Sequence, residues 1–160
     1  MDFSIRHFAC TAAILGVSVF LQSSLFAQSK DAFVGKWTLD PDKSQFTPGP
    51  GPFDRTMMFE IKNGSLHHLT DTKNANGGIA TIDYTAKFDG GDYPIDGTGL
   101  DTVSLKRDDA NTIERVGKVR QMPSETCMMK ISPDGKTLTM TVKGSYNGAT
   151  YSSMQVYKRQ

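Results

Sequence analysis

Apolar and polar residues alternate along most of the chain. Met57, Phe59 and Ile61 fall on one side of a run. Ala80, Ile82, Tyr84, Ala86 and Phe88 alternate with Thr81, Asp83, Thr85 and Lys87. Leu138, Met140 and Val142 alternate with Thr137, Thr139, Thr141 and Lys143. A period of two sends successive side chains to opposite faces of a strand, the pattern of a sheet that is wet on one side. Between the runs lie Asn63-Gly64, Asn76-Gly77-Gly78, Asp89-Gly90-Gly91, Asp96-Gly97, Asp134-Gly135 and Asn147-Gly148. These residues tolerate positive φ and favour the tight turns of hairpins.

The pattern predicts nine or ten strands near 33–39, 55–62, 65–72, 79–88, 92–95 (weak), 101–107, 111–117, 119–131 (bulged at Pro123), 137–144 and 150–158. Beyond residue 28 no stretch has a helical period. Asp40-Pro41-Asp42-Lys43-Ser44 predicts a single helical turn, capped by Asp40 with Pro41 in first position. Phe46 to Phe53, rich in Pro and Gly, reads as a stiff, irregular connection. Short turns make neighbouring strands antiparallel, and so many strands leave two long edges unless the sheet closes. The expected fold is therefore all-β: an up-and-down antiparallel β-barrel of eight to ten strands. A Greek-key sandwich is the rival, but it needs longer crossovers, and the one long connection is 40–54.

The first 27 residues read as a secretory signal peptide. Arg6 and His7 precede an uncharged apolar run, Phe8 to Leu21, and small Ala27 closes a cleavage region with Leu25 at −3. The run is short for a membrane span of about 20 residues. An uncleaved anchor helix is the alternative. Cys10 lies early in the run, unlike a lipid-modified cysteine. The expected mature part is residues 28–160, a single domain in the periplasm or secreted, with no membrane span after cleavage. Of the two cysteines only Cys127 would remain, so the mature chain forms no internal disulfide. Cys127 beside Met128 and Met129 reads as a small buried residue of a strand; a reactive thiol or an intermolecular link is the alternative.

Charge narrows the function. The 160 residues carry 18 basic and 17 acidic side chains, a formal net charge of +1. Removing Asp2 and Arg6 with the leader leaves that balance unchanged. Such a chain lacks the basic surface of a nucleic-acid binder. With 38% hydrophobic residues it has enough apolar mass for a core.

The start of the mature chain, Asp31-Ala32-Phe33-Val34-Gly35-Lys36-Trp37-Thr38-Leu39, has Gly-x-Trp on its first strand and resembles the calycins, the lipocalins and fatty-acid-binding proteins. Asp40-Lys43-Ser44-Gln45-Phe46, Asp92-Tyr93-Pro94 and Asp134-Gly135-Lys136-Thr137-Leu138-Thr139 are similar to exported bacterial lipocalin-like proteins. The resemblance implies a barrel in which Trp37, the only Trp, plugs one end behind Gly35. A basic residue of the last strand, Arg159 or Lys158, would pack over it. Two departures matter. Fatty-acid-binding proteins carry a two-helix lid after the first strand, which 47–53 cannot form. Many end in Arg-x-Tyr, whose Arg holds a ligand carboxylate; the matching positions here are Gln155 and Tyr157. Gln donates and accepts hydrogen bonds but does not neutralise a carboxylate, which points to a neutral or amphipathic ligand.

Other motifs fail. Gly135-Lys136-Thr137 lacks the upstream glycine and the helix of a P-loop. Gly97-Thr98-Gly99-Leu100-Asp101-Thr102 misses the last glycine of a dinucleotide loop. Asn63-Gly64-Ser65 is a formal glycosylation acceptor inside a hairpin turn. His67 and His68 point to opposite faces and so do not share a metal, and no catalytic signature joins either to Cys127. No metal or cofactor is expected. Arg115 shares parity with Ile113, which points it inward, where it needs an acid or a ligand anion; a bulge that turns it outward is the alternative. The expected function is to hold a small hydrophobic or amphipathic molecule among Phe59, Ile82, Tyr84, Phe88, Arg115, Met140, Gln155 and Tyr157. The alternatives are a filled barrel acting as an envelope interaction module and an enzyme using the barrel interior.

Overall fold

The computed structural model describes residues 31–73 and 77–160. The expected signal peptide, 1–27, lies outside the described residues. The strands are β1 (Gly35–Leu39), β2 (Gln45–Thr47), β3 (Asp54–Lys62), β4 (Ser65–Lys73), β5 (Ile79–Lys87), β6 (Tyr93–Asp96), β7 (Thr102–Asp109), β8 (Thr112–Val119), β9 (Met122–Ile131), β10 (Thr137–Tyr146) and β11 (Ala149–Arg159). From β3 to β11 each strand pairs antiparallel with the next, and β1 pairs with both β3 and β11, which closes the ring. Ten strands make an up-and-down barrel of calycin type. The eleventh, β2, is three residues long and lies on the upper part of β11, above the β1 pairing (Ser152↔Thr47, Met154↔Gln45).

Most elements follow the alternation. Met57, Phe59, Leu66, Tyr84, Ala86, Leu138, Met140 and Val142 face the core, while Ile61 runs out past the rim and is exposed. Three details differ from the sequence reading. The 46–53 connection contains a strand, β2, too short for any alternation to show. The turn Pro41–Lys43 is a 3-10 turn, and the Asp40 side chain does not cap it; its carboxylate lies 2.9 Å from Lys158 Nζ instead. The 119–131 run begins later, because Arg120 and Gln121 form a tight turn with φ of 50° and 66°. Neither residue favours positive φ, so no turn signal marked the site. The bulge expected at Pro123 is there: Gly117 pairs with Glu125 and Lys118 with Pro123, so Ser124 of β9 is the extra residue.

The wall is thinnest at β6, which pairs with β5 and with β7 through two residues each. Gly97, just beyond β6, sits where a Cβ would fall 1.7 Å from the Thr81 carbonyl oxygen. A side chain there would push β6 off β5.

The two ends of the barrel are built differently. At one end Phe33 and Trp37 are fully buried, and the indole Nε1 donates to the Phe33 carbonyl at 2.9 Å. The Arg159 guanidinium lies 4.2 Å above the Trp37 ring. It donates to the carbonyls of Val34 (2.7 Å), Gly135 (2.7 Å) and Ala32. Arg159, and not Lys158, is thus the cation over the indole. Gly35 has φ of +142°, and a Cβ on it would stand 2.8 Å from Arg159 Nη1. The Gly of Gly-x-Trp is there because the guanidinium crosses that position. A second cation, Arg107, stacks 4.3 Å from the Phe88 ring and ion-pairs with Asp31 at 2.7 Å.

Candidate functional site

The other end opens into a cavity of about 330 Å³ between the barrel interior and the 46–52 segment. Alternation places its side chains. Arg55 shares parity with Met57 on β3, and His68 and Thr70 share parity with Leu66 on β4. Glu125 shares parity with Cys127 on β9, and Tyr151, Ser153, Gln155 and Tyr157 share parity on β11. All except Leu66 and Cys127 line the cavity.

Five of the eight residues singled out in the sequence meet there: Ile82, Arg115, Met140, Gln155 and Tyr157. The other three lie outside its lining. Phe59 and Tyr84 pack on either side of His68, with ring centroids 4.7 Å from it in each case. They form the wall behind the histidine. Phe88 sits towards the closed end, beneath Arg107. Gly35, Trp37 and Arg159 occupy the closed end, while Lys158 pairs with Asp40 on the outside.

Two arginines reach the cavity, and they differ. Arg115 forms an ion pair with Glu125, the side chains being 8% and 11% exposed. The Tyr151 hydroxyl donates to the other Glu125 oxygen at 2.7 Å. This arginine is therefore neutralised inside the protein, and burial plus its hydrogen bond to Glu125 push the Tyr151 hydroxyl up from its ordinary pKa. Arg55 has only neutral partners: Nε donates to Thr72 Oγ1 at 2.8 Å and Nη1 to Gln155 Oε1 at 3.0 Å. No carboxylate pairs with it among the described residues. Gln155 Oε1 also accepts from the Tyr157 hydroxyl at 2.6 Å, and its Nε2 donates to Ser153 Oγ at 2.8 Å. Burial raises the Tyr157 pKa to about 12, so it remains a donor. Arg55 thus brings a cation from β3 to the side chain of Gln155 on β11.

His68 is buried with Nε2 2.5 Å from Thr70 Oγ1, and its Nδ1 has no partner among the described residues. Burial, with Arg115, His67 and Arg55 nearby, holds it well below the ordinary histidine pKa, so it is neutral. His67 points outward and lies 3.0 Å from Asp83. Cys127 is buried, and burial pushes its thiol up to about 11. At neutral pH it is a protonated, unreactive thiol. The sequence pattern did not single out Arg55 or Glu125 as lining, and it left open which of His67 and His68 faces inward. The parity of Met57, carried two positions back along its strand, reaches Arg55, and that of the buried Cys127, carried two positions back, reaches Glu125; that His67 and His68 point to opposite faces puts one of them inside. No such signal marks the 46–52 wall.

No protein-family model matches the chain, and no curated protein matches it. Among solved structures, the zebrafish ileal bile acid-binding protein complexed with cholic acid aligns with a TM-score of 0.54 at 14% identity, over 81% of this chain and 99% of that one. The siderocalin Ex-FABP aligns with a TM-score of 0.38 at 12% identity, over 81% of this chain and 74% of that one. The likeness is one of fold, a closed calycin-type barrel. Among the described residues no helix is long and apolar enough to cross a membrane.

Proposed function

We propose that the protein is an exported carrier that holds one small amphipathic molecule in the open end of its barrel, with the polar end against Arg55 and the apolar part along Met57, Ile82, Met140 and Val142. The observation that carries this reading is the cavity itself: about 330 Å³, at the lower end of the range for small-ligand sites, with one cation that no carboxylate among the described residues neutralises. An acidic or strongly polar head group fits such a cation better than a hydrocarbon end does. The structural neighbour solved with cholic acid supports a barrel interior used for amphipathic molecules. The leader-like pattern of residues 1–27 supports export. A filled structural barrel is disfavoured by the cavity.

The test is displacement of an environment-sensitive dye, together with native mass spectrometry, using decanoate and decanol. Decanoate should bind, and Arg55→Gln should weaken it about tenfold or more, the worth of one charged hydrogen bond, with decanol little changed. Absence of binding by either, or equal binding of decanoate to both proteins, would reject the reading. Export is checked by finding the protein in the extracytoplasmic fraction with Gln28 at its N-terminus.

A further inference from the structure

Beyond Arg115 and Glu125 lies a second cavity, of about 280 Å³, between the 97–100 connection and the tip of the β10–β11 hairpin. Ile82, Arg115, Glu125 and Tyr151 line both spaces. The Arg115–Glu125–Tyr151 chain of contacts is therefore a partition with a chamber on each side. We propose that the second chamber is a separate binding site for a small uncharged molecule, aromatic or aliphatic, with at most one hydrogen-bond acceptor.

The chemistry of the two chambers differs because of what the partition does. Glu125 neutralises Arg115 where it stands, and Tyr151 occupies the second Glu125 oxygen. The second chamber therefore meets no unpaired charge from the partition, whereas the first contains Arg55. Its remaining walls include Ile82, Leu100 and Tyr146, with Thr98 and Ser145 at the edge. A buried charge pair already satisfied repels neither an apolar nor a neutral guest, but gives a charged guest nothing to pair with. One polar opportunity is left. Arg115 is 7% exposed, and its Nε has no hydrogen-bond partner among the described residues. A carbonyl or hydroxyl oxygen would satisfy it.

The chamber is also a shaped space. Leu100 packs into the room left by Gly117, where a Cβ would stand 2.5 Å from Leu100 Cδ1. The Tyr146 ring covers Gly99, where a Cβ would stand 2.9 Å from Tyr146 Cε2. Two glycines thus let two large side chains sit down around the opening. Tyr146 itself is 58% exposed, which suits a residue whose outer face is wet and whose inner face waits for a guest.

The experiment uses the full chain with 1-naphthol as the neutral probe and decanoate as the acid. Titrating the decanoate-saturated protein with 1-naphthol should give a ternary species in native mass spectrometry, one molecule of each. Tyr146→Ala should weaken naphthol about fivefold, the loss of one aromatic contact, and leave decanoate unchanged. Leu100→Ala serves as the second variant with the same expected direction. Arg55→Gln should do the reverse. Displacement of decanoate by naphthol, one for one, would show a single continuous cavity and overturn the proposal, as would naphthol binding that ignores both variants or no naphthol binding at all. If decanoate fails to bind while naphthol binds in a manner sensitive to Tyr146, the first chamber's reading falls and the second stands.

Discussion

The closed and open ends of this barrel use the same residue types for opposite purposes. Both hold an arginine that donates to neutral oxygens. At the closed end, Arg159 gives its donors to three carbonyls and its face to Trp37, and the indole N–H is satisfied by Phe33. At the open end Arg55 has two neutral partners and His68 Nδ1 has none among the described residues. Polar groups that are all paired make a plug; polar groups left short of partners make a place for something else. On this comparison, substitutions at the closed end cost stability and spare binding, and those at the open end do the reverse.

The largest expected effect is Trp37→Ala. It removes the largest fully buried side chain and strips Arg159 of its ring. The loss should be about 4 kcal/mol, in the range for a buried aromatic truncated to alanine, read from urea unfolding. Decanoate affinity of the folded fraction should change little. A large loss of affinity with unaltered stability would mean that the plug belongs to the site, and the contrast between the ends would collapse.

How much of this was legible beforehand follows from what alternation records. It encodes which face is buried, so it revealed the strands, the barrel and the inward Arg115. The Gly-x-Trp motif carried the closed end, because a plug is made of residues that are near one another in sequence or at the chain's last strand. The open end was only half legible. Gln155 at the last strand suggested an uncharged pocket, and the cation came from Arg55, one hundred residues away in sequence and next to Gln155 in space. Separation of that kind leaves no local trace. The same holds for Tyr84 and Phe59, whose inward parity is real but whose rings are spent on His68. Parity tells inside from outside; it does not distinguish a wall from what stands behind it. The Arg120-Gln121 turn and β2 escaped for simpler reasons, an unfavoured pair of residues and a strand of three.

A smaller effect tests the unsatisfied character of the open end through pH. His68 is held well below the ordinary histidine pKa in the folded protein, chiefly by burial. In the unfolded chain it takes up a proton near pH 6.5. The unfolded state therefore binds more protons as pH drops, and stability falls below about pH 6.5, by up to about 1.4 kcal/mol for each pH unit. Above that pH the group is neutral in both states and contributes no slope. The carboxylates with lowered pKa, such as Asp40 beside Lys158 and Glu60 beside Lys62, act at more acidic pH. Urea unfolding between pH 7.5 and 5 should show the slope, and His68→Gln should flatten it. Equal slopes in the two proteins would mean that His68 gains a proton inside the barrel, and that the cavity is wetter than its burial implies.

The smallest expected effect concerns the segment that roofs the cavity. Phe53 is 81% exposed, although it belongs to the stretch whose Phe46 packs over Gly51 and lines the cavity. The two phenylalanines at the ends of one Pro/Gly-rich segment therefore differ: Phe46 lines the cavity and Phe53 does not. Phe53→Ser removes apolar surface that already meets water, so stability should move by less than about 0.5 kcal/mol. Decanoate affinity should also hold, because the side chain lies outside the lining. A fall in affinity measured by dye displacement would show that the outer face of the segment meets the ligand on its way in. The boundary between site and scaffold would then run through the 46–53 connection and no longer along its inner side.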